Sequence, residues 1–232
     1  MYTVSFNGYN CTDVGLKVKK RPNIPIPQKR ITEIVIPGKS GSLHVDEGTY
    51  EEIEIYLEFN FTCSDNGWGE SMRKIRKWLH GKGDKKLIFS DDDQFFYKVS
   101  YVRTEEDTER RIKKLGYLTV IFVCEPYVYS VVGDVAILLP CDLQNNGEIA
   151  APLYRISGEG VCTLSVNGNS VTANIGQELA IDTDLLVAFR GDAIENTATT
   201  GDLEALRLQP GENTIEITDG FTATVVPRWR YL

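Results

Sequence analysis

The sequence predicts a mainly β protein of two units, the first carrying one α-helix laid on a sheet and the second a β-sandwich or jelly roll. Three observations carry this reading. Apolar and polar residues alternate with a period of two over long stretches, a single segment keeps a helical period, and Gly, Asn and Asp break the C-terminal part into strands.

In Glu52-Ile53-Glu54-Ile55-Tyr56-Leu57-Glu58-Phe59-Asn60-Phe61 every odd position is apolar and most even ones are polar, as in a strand with one buried face. The helix follows. After the turn-forming Ser64-Asp65-Asn66-Gly67, residues Trp68, Met72, Ile75 and Leu79 fall at i, i+4, i+7 and i+11, which predicts an amphipathic helix over about 68–80. Gly81 is its expected stop, Lys77 and His80 suit the negative end of the helix dipole, and Arg73, Lys74 and Lys77 form its solvated face.

Tyr97-Lys98-Val99-Ser100-Tyr101 alternates again, and residues 103 to 114 are charged and read as a long hairpin tip. Tyr117-Leu118-Thr119-Val120-Ile121-Phe122-Val123-Cys124 is apolar on both faces and rich in β-branched residues, which predicts a central strand. Further on, Leu164-Ser165-Val166 and Val171-Thr172-Ala173 flank Asn167-Gly168, the signal of a tight hairpin. Ile215-Glu216-Ile217 and Thr222-Ala223-Thr224-Val225-Val226, separated by Thr218-Asp219-Gly220, predict a second one.

Charge supports two units. Residues 1–135 hold 20 Lys and Arg against 20 Asp and Glu, whereas residues 136–232 hold 5 against 13. We therefore expect domains of 1–135 and 136–232, and an acidic C-terminal unit that disfavours binding to a phosphate backbone. There is no run of about 18 apolar residues to cross a membrane and no basic, apolar leader at the start, so a soluble protein made in the cytoplasm is expected. The five cysteines are odd in number and lack a zinc spacing, and His44 and His80 are the only imidazoles. Buried free thiols and no cofactor are expected.

Few residues invite chemistry. Gly38-Lys39-Ser40 has the end of a phosphate loop, but Glu33 stands where its first glycine belongs, so a glycine-rich turn between two strands is the expectation. Asp91-Asp92-Asp93 lacks the spaced ligands of a calcium loop and reads as a solvated turn. The carboxylates Glu105, Glu106, Asp107 and Glu109 could serve a glycosidase, yet they alternate with Arg110, Arg111, Lys113 and Lys114 as a hairpin tip or contact surface does. Trp229, between Arg228 and Arg230, suits either a sugar platform or a packed terminal strand with two outward arginines.

Several motifs, in order and spacing, resemble the distal tail (Dit) family of long-tailed bacteriophages and prophages. Phe6-Asn7-Gly8 and Asp13-Val14-Gly15-Leu16 look like its opening strands. Ile36-Pro37-Gly38-Lys39-Ser40-Gly41 looks like its "PG-basic-x-G" signature, with Lys39-Ser40 where many relatives have Arg-Asp. Gly116 to Tyr127 is similar to its strand ending in a Cys124-Glu125-Pro126-Tyr127 corner. In the second domain Asn146-Gly147, Pro152, Ile156-Ser157-Gly158 and Gly211-Glu212-Asn213-Thr214-Ile215 resemble its glycine and asparagine pattern, and Arg228-Trp229-Arg230 its ending.

The resemblance implies a structural, non-enzymatic protein: an N-terminal split-barrel-like β domain with one helix, closing head to tail into a hexameric ring, and a C-terminal galectin-like β-sandwich. The ring would be the hub of the virion tail tip, between the tail tube protein and a tail-associated fibre or lysin protein. DNA would pass through its channel without specific binding. The compact second domain leaves little room for docked receptor-binding proteins. The basic Lys17-Lys19-Lys20-Arg21 stretch and the tip bearing Arg110, Arg111, Lys113 and Lys114 are the expected subunit contacts. Two other readings compete: a carbohydrate-binding module of an adhesion device, centred on Trp229, and a carboxylate hydrolase. A domesticated tail, such as a bacteriocin particle, would look the same in sequence.

Overall fold

A computed structural model describes residues 2–63, 67–105, 110–112 (backbone alone) and 115–232. The chain divides into two compact units, Met1–Val128 and Tyr129–Leu232. Among the described residues it is mainly β with one α-helix, as the sequence predicts.

In the first unit the strands are β1 (Val4–Phe6), β2 (Tyr9–Asn10), β3 (Leu16–Val18), β4 (Lys29–Val35), β5 (Ser42–Tyr50), β6 (Ile53–Thr62), β7 (Lys86–Phe89), β8 (Asp92–Thr104), β9 (Arg110–Ile112) and β10 (Leu115–Ser130), with helix α1 at Trp68–His80. The main sheet has the order β2-β1-β7-β8-β10-β6-β3. β10 is interior, between β8 and β6, as a strand apolar on both faces must be. Along β6 the alternation becomes burial: Ile53, Ile55, Leu57, Phe59 and Phe61 all face the core.

Helix α1 closes that core with Ile75, Trp78 and Leu79, while Trp68 and Met72 pack at its edge. Trp78 was not among the residues placed on the apolar face, yet it sits at the centre. Phe6, Phe59 and Phe122 surround its ring at centroid distances of 6.0, 6.0 and 6.5 Å in edge-on geometry. Its Nε1 donates to the carbonyls of Phe6 (3.0 Å) and Tyr9 (3.2 Å), so the indole is satisfied although buried. Gly116 pairs with Phe61 across β10 and β6; a Cβ there would lie 2.3 Å from the Phe61 ring and 2.8 Å from Trp68. Glycine thus makes room for the start of the helix on the sheet. Gly81 does end the helix, but in extended backbone: a Cβ would come within 2.4 Å of the Lys77 carbonyl. The expected turn at Ser64, Asp65 and Asn66 lies outside the described residues.

Two other expectations are corrected in this unit. Asp13-Val14 forms a 3-10 turn, not a strand. The Cys124-Glu125-Pro126-Tyr127 stretch is no corner, because β10 continues to Ser130; its ladder with β6 ends at Cys124, so the missing N–H of Pro126 breaks no bond to β6. At the surface of this unit Lys19 and Lys20 pair with Glu58, and Arg21 with Asp91.

The second unit holds β11 (Ile137–Leu138), β12 (Cys141–Asn145), β13 (Leu153–Val166), β14 (Asn169–Asp182), β15 (Val187–Arg190), β16 (Ala193–Ile194), β17 (Thr199–Thr200), β18 (Gly211–Ile217), β19 (Thr222–Val226) and β20 (Arg230–Tyr231). The ladder order β11-β19-β13-β14-β15-β16, with β12 and β18 joined to β13 and β17 to β14, makes one connected sheet over a single core. The Asn167-Gly168 hairpin is present, with arms of 14 residues each.

The second expected hairpin is not. β18 and β19 do not pair with each other. Both run antiparallel to β13 along the same edge, with Leu164 opposite Ile217 and Ser157 opposite Thr222. β13 therefore takes seven steps where its neighbour takes five, and the excess is absorbed at Gly158 and Gly160, whose φ values of 151° and 97° bend the strand. One long bent strand holds the sheet together.

Candidate assembly surface

β4 and β5 form a two-stranded ribbon that belongs to neither main sheet, and nearly every residue of it is exposed. Its register sets out two faces, one aliphatic and one that mixes charged residues with the exposed Ile31 and Val35. Thr32 lies opposite Val45 and Ile34 opposite Leu43, which puts an aliphatic stripe on one side, with Ile34, Leu43 and Val45 42–44% exposed. On the other side Glu33 opposes His44 and Ile31 opposes Asp46. Lys29 reaches Asp46 at 2.6 Å, and Ser42 Oγ donates to Glu33. The Lys29 ammonium and the Gly48 N–H hold the Asp46 carboxyl below its ordinary pKa.

The signature residues Pro37, Gly38, Lys39 and Gly41 make the ribbon's tip. Lys39 N donates to the Ile36 carbonyl at 3.1 Å across Pro37-Gly38, and Gly38 has a φ of 83°. Pro followed by a residue of positive φ is a type II turn, so the motif serves a reversal, not a nucleotide. At the root, Glu51 N donates to the Gln28 carbonyl at 2.8 Å, and the Tyr50 ring meets Tyr127 edge-on at 6.1 Å. Tyr127 thus braces the ribbon while Pro126 lies beside it in β10.

The remaining signature residues are structural and lie in the second unit. Asn213 is 1% exposed and fully bonded: its amide donates to the carbonyls of Gln209 (2.8 Å) and Gly211 (3.0 Å), and its Oδ1 accepts from Gln209 N (2.8 Å) and the Asn167 amide (2.9 Å). Gly211 opens β18 opposite Asn145. Trp229 is half-buried and packs against the core instead of forming a platform. Its neighbours do not both point outward either. Arg228 turns inward to clamp Asp182, and Arg230 Nε donates to the Ile149 carbonyl at 2.6 Å.

Of the expected contact residues, Arg110 and Arg111 are placed in β9 by their backbone alone, and Lys113 and Lys114 lie outside the described residues. Among the described residues no cluster of three His, Cys, Asp or Glu could hold a metal. Among the same residues no helix is long and apolar enough to cross a membrane. All five cysteines are free, with Cys11, Cys124 and Cys162 buried. Burial pushes the Cys124 thiol well above its ordinary pKa, so it is a packing residue, not a nucleophile.

The sequence predicts the ribbon's turn but not the exposure of nearly all its residues. Ile31-Thr32-Glu33-Ile34 does not alternate, its two isoleucines falling on opposite faces, and hydropathy alone does not say whether such a strand joins a sheet of its own chain or stands apart.

No family model and no curated protein matches the chain. Its fold is similar to the crystal structure of the SPP1 Dit protein, described as a paradigm of the hub adsorption apparatus of phages that infect Gram-positive hosts. The TM-score is 0.62 at 15% identity, with 100% of each chain covered.

Proposed function

We propose that this chain is a structural subunit of a phage tail tip, a distal-tail-type hub that closes a ring with copies of itself. The observation that carries the reading is the ribbon: an apolar face left open on a fold that matches a phage hub protein from end to end. A two-stranded ribbon is marginally stable alone, and an exposed aliphatic stripe of this kind marks a contact. A ring needs two unlike, complementary patches on each subunit, and the ribbon supplies one of them.

In this reading the N-terminal domain forms a hexameric ring in the virion tail tip. The tail tube protein sits on one side and a tail-associated fibre or lysin protein on the other. DNA passes through the channel without specific contacts, and the role asks for no catalysis or cofactor. The carbohydrate-binding alternative has less support, because among the described residues of the second unit the exposed large hydrophobics are aliphatic, not aromatic.

Light scattering of the purified chain across concentration and ionic strength tests the proposal. The expected result is a species of about six subunits, seen as rings by negative-stain microscopy. A chain that stays monomeric under every condition and yields no rings overturns it.

A further inference from the structure

A ring closed by the N-terminal unit needs, on that same unit, a second patch that receives the ribbon. Helix α1 is basic, with Arg73, Lys74, Arg76 and Lys77 against Glu70, and Lys82 follows it. Beside these residues a cavity of about 420 Å³ opens between the end of α1, the 3-10 turn at Cys11–Val14 and β2. Tyr9, Val14 and Trp78 give it apolar walls, and Lys74, Lys77 and Lys82 line it as well. Lys74 already pairs with Glu70 at 2.8 Å, and Asp13, the one carboxylate among the lining residues, accepts from Asn10 N at 3.0 Å. Among the described residues Lys77 and Lys82 have no ion pair. These two cations outweigh the roughly half unit of negative charge at the helix end.

Buried bonds fix the cavity's shape. Asn7, 8% exposed and in left-handed backbone at φ 53°, donates to the carbonyls of Trp78 (3.0 Å) and Gly81 (3.4 Å) and accepts from Lys85 N (3.2 Å). One side chain thus ties the β1–β2 turn to the helix end and to the loop that follows. Preformed walls lower the entropy cost of docking. The ribbon carries the matching chemistry. Thr32 Oγ1 donates to Glu47, which puts that carboxylate on the side of Ile34, Leu43 and Val45. No cation of the ribbon takes it, since Lys29 pairs with Asp46 and Arg30 has no ion pair among the described residues.

We infer that this cavity receives the ribbon of a second copy of the chain: the aliphatic stripe covers Tyr9 and Val14, and Glu47 meets Lys77 and Lys82. The inference rests on the ring reading and names the half of the contact that reading leaves open, on the same N-terminal unit. Tyr9, 63% exposed in the single chain, gains an apolar cover, and one charge pair sets the register of the contact.

Charge exchange tests it, with assembly read by light scattering. Glu47→Lys in the ribbon, or Lys77→Glu with Lys82→Glu in the cavity, should each raise the concentration at which rings form by about tenfold or more. A chain carrying all three substitutions should assemble near the wild-type concentration, because each ribbon again meets a cavity of opposite charge. All three positions are exposed, and circular dichroism checks that the variants fold. Lys77→Gln with Lys82→Gln, which puts no new negative charge at the helix end, should weaken assembly in the same direction. A cavity variant that assembles like wild type, or a triple variant no better than its parents, overturns the inference while leaving the ring reading intact. A wild-type chain that never assembles overturns both.

Discussion

Arg228 donates to Asp182 through both terminal guanidinium nitrogens, each bond 2.9 Å long, and the carboxylate it grips has a side chain only 8% exposed. Paired, planar geometry of this kind is the strong form of an ion pair. Removing one partner of a buried pair leaves the other charge stranded. Asp182→Ala should therefore destabilise the second unit by about 3 kcal/mol, read as a lower urea midpoint.

The same pair gives a pH signature. Burial would raise the Asp182 carboxyl, but the Arg228 bonds and charge and two backbone N–H groups outweigh it and hold its pKa below the ordinary value. A carboxyl depressed in the folded state stabilises above its unfolded pKa of about 3.9, and that contribution is lost as pH falls through the folded value. The stability gap between wild type and Asp182→Asn should be widest near neutrality and shrink as pH falls through the acid range below about 4. Urea melts along that series check it; a gap that is constant with pH would refute the assignment.

Trp78 tests the first core. Trp78→Phe keeps most of the apolar contact but strands the carbonyls of Phe6 and Tyr9, which should cost about 1–3 kcal/mol. Trp78→Ala adds a cavity among three phenylalanine rings and should cost about 3–5 kcal/mol. Chemical denaturation followed by circular dichroism separates the two.

Gly116→Ala should be destabilising despite adding a single methyl group. The added carbon would overlap Phe61 and Trp68, and relieving the clash moves the start of α1 off the sheet, at a cost of about 1–3 kcal/mol. Thermal unfolding near that of wild type would show that the helix can shift freely.

Asn213→Ala removes four hydrogen bonds at a site with almost no access to water, so the Gln209 and Gly211 backbone groups and the Asn167 amide lose their partner. The expected cost is about 2–4 kcal/mol, and Asn213→Asp should recover little because two of the lost bonds need a donor. Urea melts of the three proteins decide it.

These positions differ in how much of their role is written in a local pattern. β6, β10 and α1 were legible because each has one dominant pattern: strict alternation, apolar on both faces, or a helical period. The β18–β19 junction was misread because Thr218-Asp219-Gly220 has the composition of a reversal, whereas the pairing choice belongs to β13 and its two glycines, some sixty residues away in sequence. Arg228 is expected to face outward because its partner, Asp182, is 46 residues away. Trp78 lies at i+3 from Ile75 and so on the same helical face, a position that the run of residues 68, 72, 75 and 79 passes over.

The bent strand β13 also sets an order of events during folding. Its pairing with β14 closes through two residues, a step that takes microseconds, whereas its other edge must await β18 and β19, which arrive only after roughly fifty residues or more have been looped in. The second unit should therefore pass through a stage in which one long hairpin stands with its far edge open. Amides of the β13–β14 ladder should gain protection from hydrogen exchange before those of β18 and β19, and a nascent chain released before residue 211 would present that open edge to its neighbours.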